Sequence, residues 1–311
     1  MPSASRSLTR SPPRPPPDRE IAQDGCLAGG RAPSVEQAEL SADPHVIGPS
    51  QPPDSGTSSA VVAVGRQISA AARTVADSAI AILLAPSCAA CACCLEQPTR
   101  GVVCEDCWCA ITPILPPVCD TCGDPLLSWR LIGVESGRFG RCRGAGSHVV
   151  RARAIGAYEG ALRSIVHAYK YDGRRSLARP LADMLASCGS DVIDGAQFVV
   201  PVPLHRSKQR ARGFNQAVEI ARLLPLPMVL ALERVRKTPS QTDLPAAERH
   251  ANVRGAFSLT RGKRLRSAVV VVVDDVSTTG ATLEACADVL REGGAREVRA
   301  LTVARVVSTR L

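Results

Sequence analysis

Five consecutive valines, Val269 to Val273, run into two aspartates, Asp274 and Asp275, and then into Val276-Ser277-Thr278-Thr279-Gly280-Ala281-Thr282. A β-branched apolar run with no polar position reads as a strand buried on both faces, as in the interior of a parallel sheet. The acid pair is expected to stop that strand. Leu283, Ala287 and Leu290 then have the spacing of a helix that faces a sheet. Strand, loop and helix in this order put the loop at the carboxyl end of an α/β sheet, where ligands bind and helix N–H groups point outward.

The turn has two chemical halves. Ser277, Thr278, Thr279 and Thr282 offer hydroxyl donors and Gly280 permits close backbone approach, which suits a phosphate. Two carboxylates beside it would repel a bare phosphate, so they must face sugar hydroxyls or a bridging cation. A sugar phosphate with magnesium satisfies both halves. Capping a helix start would need only one of these polar residues.

At 311 residues and 45% hydrophobic content the chain has material for a large core and for two domains. Its formal charge of +9 favours phosphorylated substrates or nucleic acid. Aromatic residues make up 3%, too few for the stacking platforms of a dedicated single-strand-binding module. The amino terminus has no apolar segment of the secretory kind, and no apolar run is long enough to span a bilayer, so a reducing cytoplasm is the expected compartment.

In that setting, thirteen cysteines point to metal rather than to disulfides. Cys88-x-x-Cys91 and Cys104-x-x-Cys107 have zinc-ribbon spacing, four thiolates closing one tetrahedron. Cys119, Cys122 and the lone Cys142 form a candidate second zinc site that is one ligand short. Ala145 stands where a fourth cysteine would fall, and His148 is the nearest substitute. An exchange of ligands between the pairs is the alternative. Cys93, Cys94 and Cys109 are extra.

Residues 1–60 are Pro-, Ser-, Gly- and Ala-rich and are expected to form a disordered tail. A helix is expected over 61–86, a cysteine-rich ribbon over 87–147, and an α/β domain over 148–311. Within that domain Val149–Tyr158 reads as a strand, Gly160–Lys170 and Leu177–Ala186 as helices, and Phe198–Val200 as a short buried strand. A basic loop follows, Leu204 to Gln216, running into a helix over Ala217–Leu223. Ala231 to Phe257 has no clear period and reads as a lid.

VVVVVDDVSTTGATL resembles the phosphoribosyl pyrophosphate (PRPP) loop of type I phosphoribosyltransferases. Tyr158-Glu159-Gly160, Tyr169-Lys170-Tyr171-x-Gly173-Arg174, VPVPLHRSKQRARGFNQA, and Gln241, Leu244, Arg249, Asn252 with Gly255-Ala256-Phe257 extend the likeness. Preceded by the cysteine pairs, they resemble the ComF family of competence-associated proteins over about 79–311. The resemblance implies a type I phosphoribosyltransferase fold, a mostly parallel sheet flanked by helices, with an amino-terminal zinc ribbon and a link to uptake of single-stranded DNA.

By the same resemblance Asp274 and Asp275 hold the ribose hydroxyls, and the turn from Val276 through Ser277, Thr278, Thr279, Gly280 and Ala281 to Thr282 holds the 5′-phosphate. Arg206, Lys208, Arg210, Arg212, Gly213, Asn215 and Gln216 line the pyrophosphate, with Arg212 catalytic alongside the acid pair. Gln241, Arg249 and Asn252 belong to the lid. PRPP with magnesium and an unidentified nitrogen acceptor are the implied ligands. The competing expectation is a non-catalytic PRPP or nucleotide sensor whose zinc ribbon engages DNA or a helicase. A receiver-type phosphorylated aspartate is disfavoured, and so is use of ammonia from glutamine, because no cysteine follows Met1.

Overall fold

A computed structural model describes residues 72–126, 142, 146–236 and 252–307. The expected tail, the first part of the 61–86 helix, Ala145, and Gln241 and Arg249 of the lid lie outside the described residues. In chain order the structure has α1 (72–84), α2 (Glu105–Cys109), β1 (Val149–Ala157), α3 (Gly160–Tyr171), α4 (Ala178–Cys188) and β2 (Phe198–Pro201). There follow α5 (Arg206–Arg212), α6 (Gln216–Ala221), β3 (Leu232–Arg234), β4 (Phe257–Leu259), β5 (Val269–Ser277), α7 (Ala281–Glu292) and β6 (Glu297–Arg305).

The expected parallel sheet is present, with strand order β1-β6-β5-β2. The valine run occupies the inner strand β5, and its pleat deals side chains to two cores. Val271 and Val273 pack with Leu162, Ile165, Leu181 and Ile220 on one face. Val270 and Val272 pack with Leu283, Ala287 and Leu290 of α7 on the other. All five valines are at most 1% exposed, and full burial of each contributes about 1.5 kcal/mol or more.

Four expectations need correction. The acid pair does not stop β5, because Asp274 stays in register with Thr302, Val276 with Ala304 and Ser277 with Arg305. Parallel pairing to β6 supplies backbone partners that sequence alone does not reveal, so the turn proper is Thr278 to Gly280. The basic segment after β2 is not all loop: Arg206–Arg212 is the helix α5, capped by His205 and ended by Gly213 at φ 78°. The lid segment begins and ends in an antiparallel ribbon, β3 with β4, whose strands are too short to show a period. In α1, Val75, Ile82 and Leu83, part of the helical pattern, are exposed rather than packed.

The cysteine segment packs directly on the sheet. Cys88, Leu95, Val103, Cys107 and Ile111 share a core with α3, and Ala157 donates its N–H to Thr112 O at 3.0 Å along the β1 edge. A Cβ on Gly156 would lie 2.4 Å from Thr112 O, so only glycine allows this approach.

Candidate functional site

The site lies at the carboxyl ends of β5 and β2. Asp275 follows Asp274 so closely that its N–H donates to Asp274 Oδ1 at 2.8 Å. Burial, with the Asp275 carboxylate beside it, pushes the Asp274 pKa up to about 7. Lys170, in the last turn of α3, places Nζ 2.7 Å from Asp275 Oδ1 with both side chains largely buried. Burial pulls the ammonium down, but the charge and hydrogen bond of Asp275 and the charge of Asp274 outweigh it and leave its pKa raised.

Lys170 is a site residue that motif reading quoted without assigning a role. Its neighbours hold it in place: Tyr169 is fully buried, donates its hydroxyl to Gln216 O at 3.1 Å and packs its ring 5.7 Å from Phe214. Tyr171 in turn carries the guanidinium of Arg212 at 4.9 Å, and Arg212 Nη1 donates to Gln216 Oε1 at 3.0 Å. Arg212 thus shares α3 as a support with Lys170.

The hydroxyl-rich turn expected to hold a phosphate is divided by burial. Ser277 still belongs to β5, is 4% exposed, and accepts from Arg305 Nη1 at 3.2 Å. Thr278 Oγ1 is buried without a hydrogen-bond partner. Thr279 Oγ1 accepts from Ala281 N at 3.4 Å, and Gly280, at φ 82°, turns the chain into α7. A buried hydroxyl without a partner costs about 1–3 kcal/mol, which a ligand oxygen would recover.

The residues expected around a pyrophosphate fall into two groups. Asn215 donates Nδ2 to Val202 O at 3.0 Å and accepts from Ala217 N at 3.0 Å, so it caps α6 and pins it to the end of β2. Gln216 is 1% exposed. Lys208, Arg210 and Arg212 lie on α5 before Gly213. Arg206 lines a cavity of about 620 Å³ with His205, Gln209 and Asn215, and with Arg234 on β3. Arg234, missed in the sequence, has its pKa lowered by burial while the charge of Asp274 opposes the fall. Asn252 O accepts from Arg236 Nη2 at 3.2 Å across the lid base.

Among the described residues two cysteine groups have ligand atoms within 4.8 Å of one another: Cys88, Cys91, Cys104 and Cys107, and Cys119, Cys122 and Cys142. Four sulfurs about 2.3 Å from a zinc ion lie about 3.8 Å apart, so the first group fits a closed four-thiolate site and the second supplies three of the four positions. In the first, Cys91 and Cys104 sulfurs are 3.7 Å apart, and Cys88 Sγ accepts from Ala90 N at 3.4 Å and Cys104 N at 3.3 Å. Burial of Cys88 opposes ionisation, but these N–H donors outweigh it and lower its pKa to about 6. The extra Cys93 brings its sulfur 3.1 Å from Cys91. His148 does not join the second group: its Nδ1 lies 2.5 Å from Asp288 Oδ1, and its backbone N–H donates to Glu284.

Residues 210–311 match the family model described as a phosphoribosyl transferase domain. Competence protein F of Haemophilus influenzae is 33% identical over 162 residues, 49% of this chain and 71% of that protein. DNA utilization protein YhgH of Salmonella typhi is 30% identical over 61% of this chain and 85% of its own length. Competence protein ComFC of Bacillus subtilis is 27% identical over 65% of this chain and 84% of its own.

Proposed function

We propose, on the premise that this chain belongs to the ComF family of competence-associated, phosphoribosyltransferase-like proteins, that it binds PRPP with magnesium and transfers phosphoribose to a nitrogen acceptor. One observation carries the reading: a buried, partnerless Thr278 hydroxyl in the turn that follows a carboxylate pair tied to Lys170. A phosphate oxygen would complete the first, and ribose hydroxyls suit the second.

In this reading Asp274 and Asp275 accept from the ribose 2′- and 3′-hydroxyls, and the turn from Thr278 to Thr282 cradles the 5′-phosphate. The oxygen-only donors of the acid pair fit a hard divalent cation, and magnesium, when bound, would offset charge on the diphosphate. As the C1–O bond breaks, its electron pair leaves with pyrophosphate, a C1–N bond forms, and the acceptor nitrogen loses a proton. Arg212, with Arg206 and Arg234 lining the adjoining cavity, places positive charge where the leaving group gains negative charge. The lid expected from the sequence would keep water from C1.

The names of the relatives extend this reading to DNA uptake and use, in a reducing cytoplasm that suits thiolate metal ligands. A second reading, a PRPP sensor that engages DNA or a helicase, draws on the metal-fitting cysteines beside the site. Calorimetric titration with PRPP and Mg²⁺, repeated on Asp274→Asn/Asp275→Asn, tests the shared ligand; wild-type binding and its loss in the variant are expected. No heat of binding in the wild type would overturn both readings. Pyrophosphate release that depends on an added acceptor separates enzyme from sensor.

A further inference from the structure

The second cysteine group does not stand apart from the phosphate turn. Cys119 and Cys122 sit on a tight hairpin in which Gly123 N–H donates to Cys119 O at 2.8 Å and Cys119 N–H to Asp124 O at 2.8 Å. That hairpin is wedged onto β1, since a Cβ on Gly123 would fall 2.5 Å from Ala152 O. Asp124, the next residue, is 1% exposed and ion-paired with Arg305 Nε. Arg305 is itself 4% exposed at the end of β6, and its Nη1 donates to Ser277 Oγ at 3.2 Å. Ser277 is the residue immediately before Thr278.

Backbone pairing reinforces this chain of contacts. Ser277 is in register with Arg305, Val306 N–H donates to Ser277 O at 2.9 Å, and Tyr158 N–H to Arg305 O at 2.7 Å. On the other side of the turn a cavity of about 430 Å³ is lined by Cys122, Cys142, Thr279, Gly280, Glu284 and Arg305. Cysteine sulfurs and phosphate turn therefore border one space and share one buried guanidinium.

We infer that a metal ion held by Cys119, Cys122 and Cys142 sets the affinity of the phosphate turn, with Arg305 as the positioning residue between them; this rests on the PRPP reading above. The ion ties residue 142 to the hairpin and so fixes Asp124. A buried guanidinium that loses its carboxylate must find another partner, because an uncompensated charge away from water is costly. When the hairpin loosens, Arg305 follows Asp124, Ser277 loses its donor, and the turn that begins at Thr278 loses the support that holds its N–H groups and hydroxyls in one geometry. Coupling between two sites is reciprocal, so bound PRPP must tighten the second metal by the factor by which the metal tightens PRPP.

The test uses the full chain. Cys142→Ser leaves the Cys88, Cys91, Cys104 and Cys107 set intact, and Arg305→Met removes the relay. Zinc content, PRPP–Mg²⁺ affinity by calorimetry, and zinc affinity against a chromophoric chelator with and without PRPP are measured on each. Cys142→Ser is expected to hold one zinc fewer than wild type and to bind PRPP about fivefold or more weakly. Arg305→Met should weaken PRPP similarly, and combining the two should add little. In the wild type, PRPP should raise the affinity of the more weakly held zinc by the same factor. Equal PRPP affinity in wild type and Cys142→Ser, or zinc release indifferent to PRPP, overturns the inference while leaving the PRPP reading standing. A wild type that binds no PRPP overturns both. Should Arg305→Met fail to fold, the Cys142→Ser and chelator measurements decide alone.

Discussion

Lys170 Nζ and Asp275 Oδ1 stand 2.7 Å apart at the junction of helix α3 and strand β5, and the pair sets the electrostatics of the carboxylate site. Without that ammonium, the two adjacent, largely buried carboxylates would lose a cation that offsets their mutual repulsion, and Asp274 would keep the charge of Arg234. Lys170→Met is expected to raise the Asp274 pKa above its present value of about 7 and to weaken PRPP–Mg²⁺ binding at neutral pH by about tenfold. Calorimetry across a pH series checks both; an unmoved pH profile would remove Lys170 from the site.

Asp274 makes binding and stability depend on pH in opposite senses. Its folded pKa, about 7, lies above the unfolded value of about 3.9, so the folded state holds the proton more tightly. Its effect on stability is nil below the unfolded value, grows unfavourable as pH rises between the two, and is complete above about 7. Asp274→Asn should therefore melt higher than wild type at pH 8, with the gap closing as pH falls toward 4. Wild-type PRPP binding should strengthen as pH rises through 7, and the variant should lose that step.

Thr278→Val separates a ligand contact from a structural one. The buried Oγ1 has no partner in the protein, so a near-isosteric methyl should leave the melting temperature unchanged or raise it. Affinity for inorganic phosphate or PRPP should nevertheless fall by about tenfold. A drop in stability with unchanged phosphate affinity would contradict the assignment.

Asn215 gives the opposite pattern. Its side chain makes two hydrogen bonds to the backbone, so Asn215→Ala should cost about 1–2 kcal/mol in chemical denaturation, and any loss of PRPP affinity should follow from the displaced loop.

Metal analysis should find one ion for each of the two cysteine groups. Chelation should lower the melting temperature, because the first group shares its core with α3 and its loss opens packing around Leu162 and Ile165.

Much of the site was legible in residue order because it is local. A valine run, two acids and a hydroxyl-rich turn lie consecutively, and each C-x-x-C pair is a single knuckle. The helical character of Arg206–Arg212 was masked by its run of charges, and the extension of β5 through the acid pair by the polarity of its end. Lys170 and Arg234 carried no local signal for their roles, since nothing around either residue in the chain says which carboxylate it will meet.

Sequence alone determined the α/β class, an inner strand, the hydroxyl-rich turn after it and the first cysteine set, because those follow from side-chain chemistry at short spacing. Tertiary structure alone decided that Lys170 answers Asp275, that His148 turns to Asp288, and that Arg305 reaches Asp124 across 181 residues, and it chose the grouping of Cys142 with Cys119 and Cys122 over an exchange of ligands between pairs. Such contacts depend on which strands lie side by side. The parallel pairing of β5 with β6, and the docking of the cysteine hairpin on β1, bring buried charges together where each must find its counter-charge away from water.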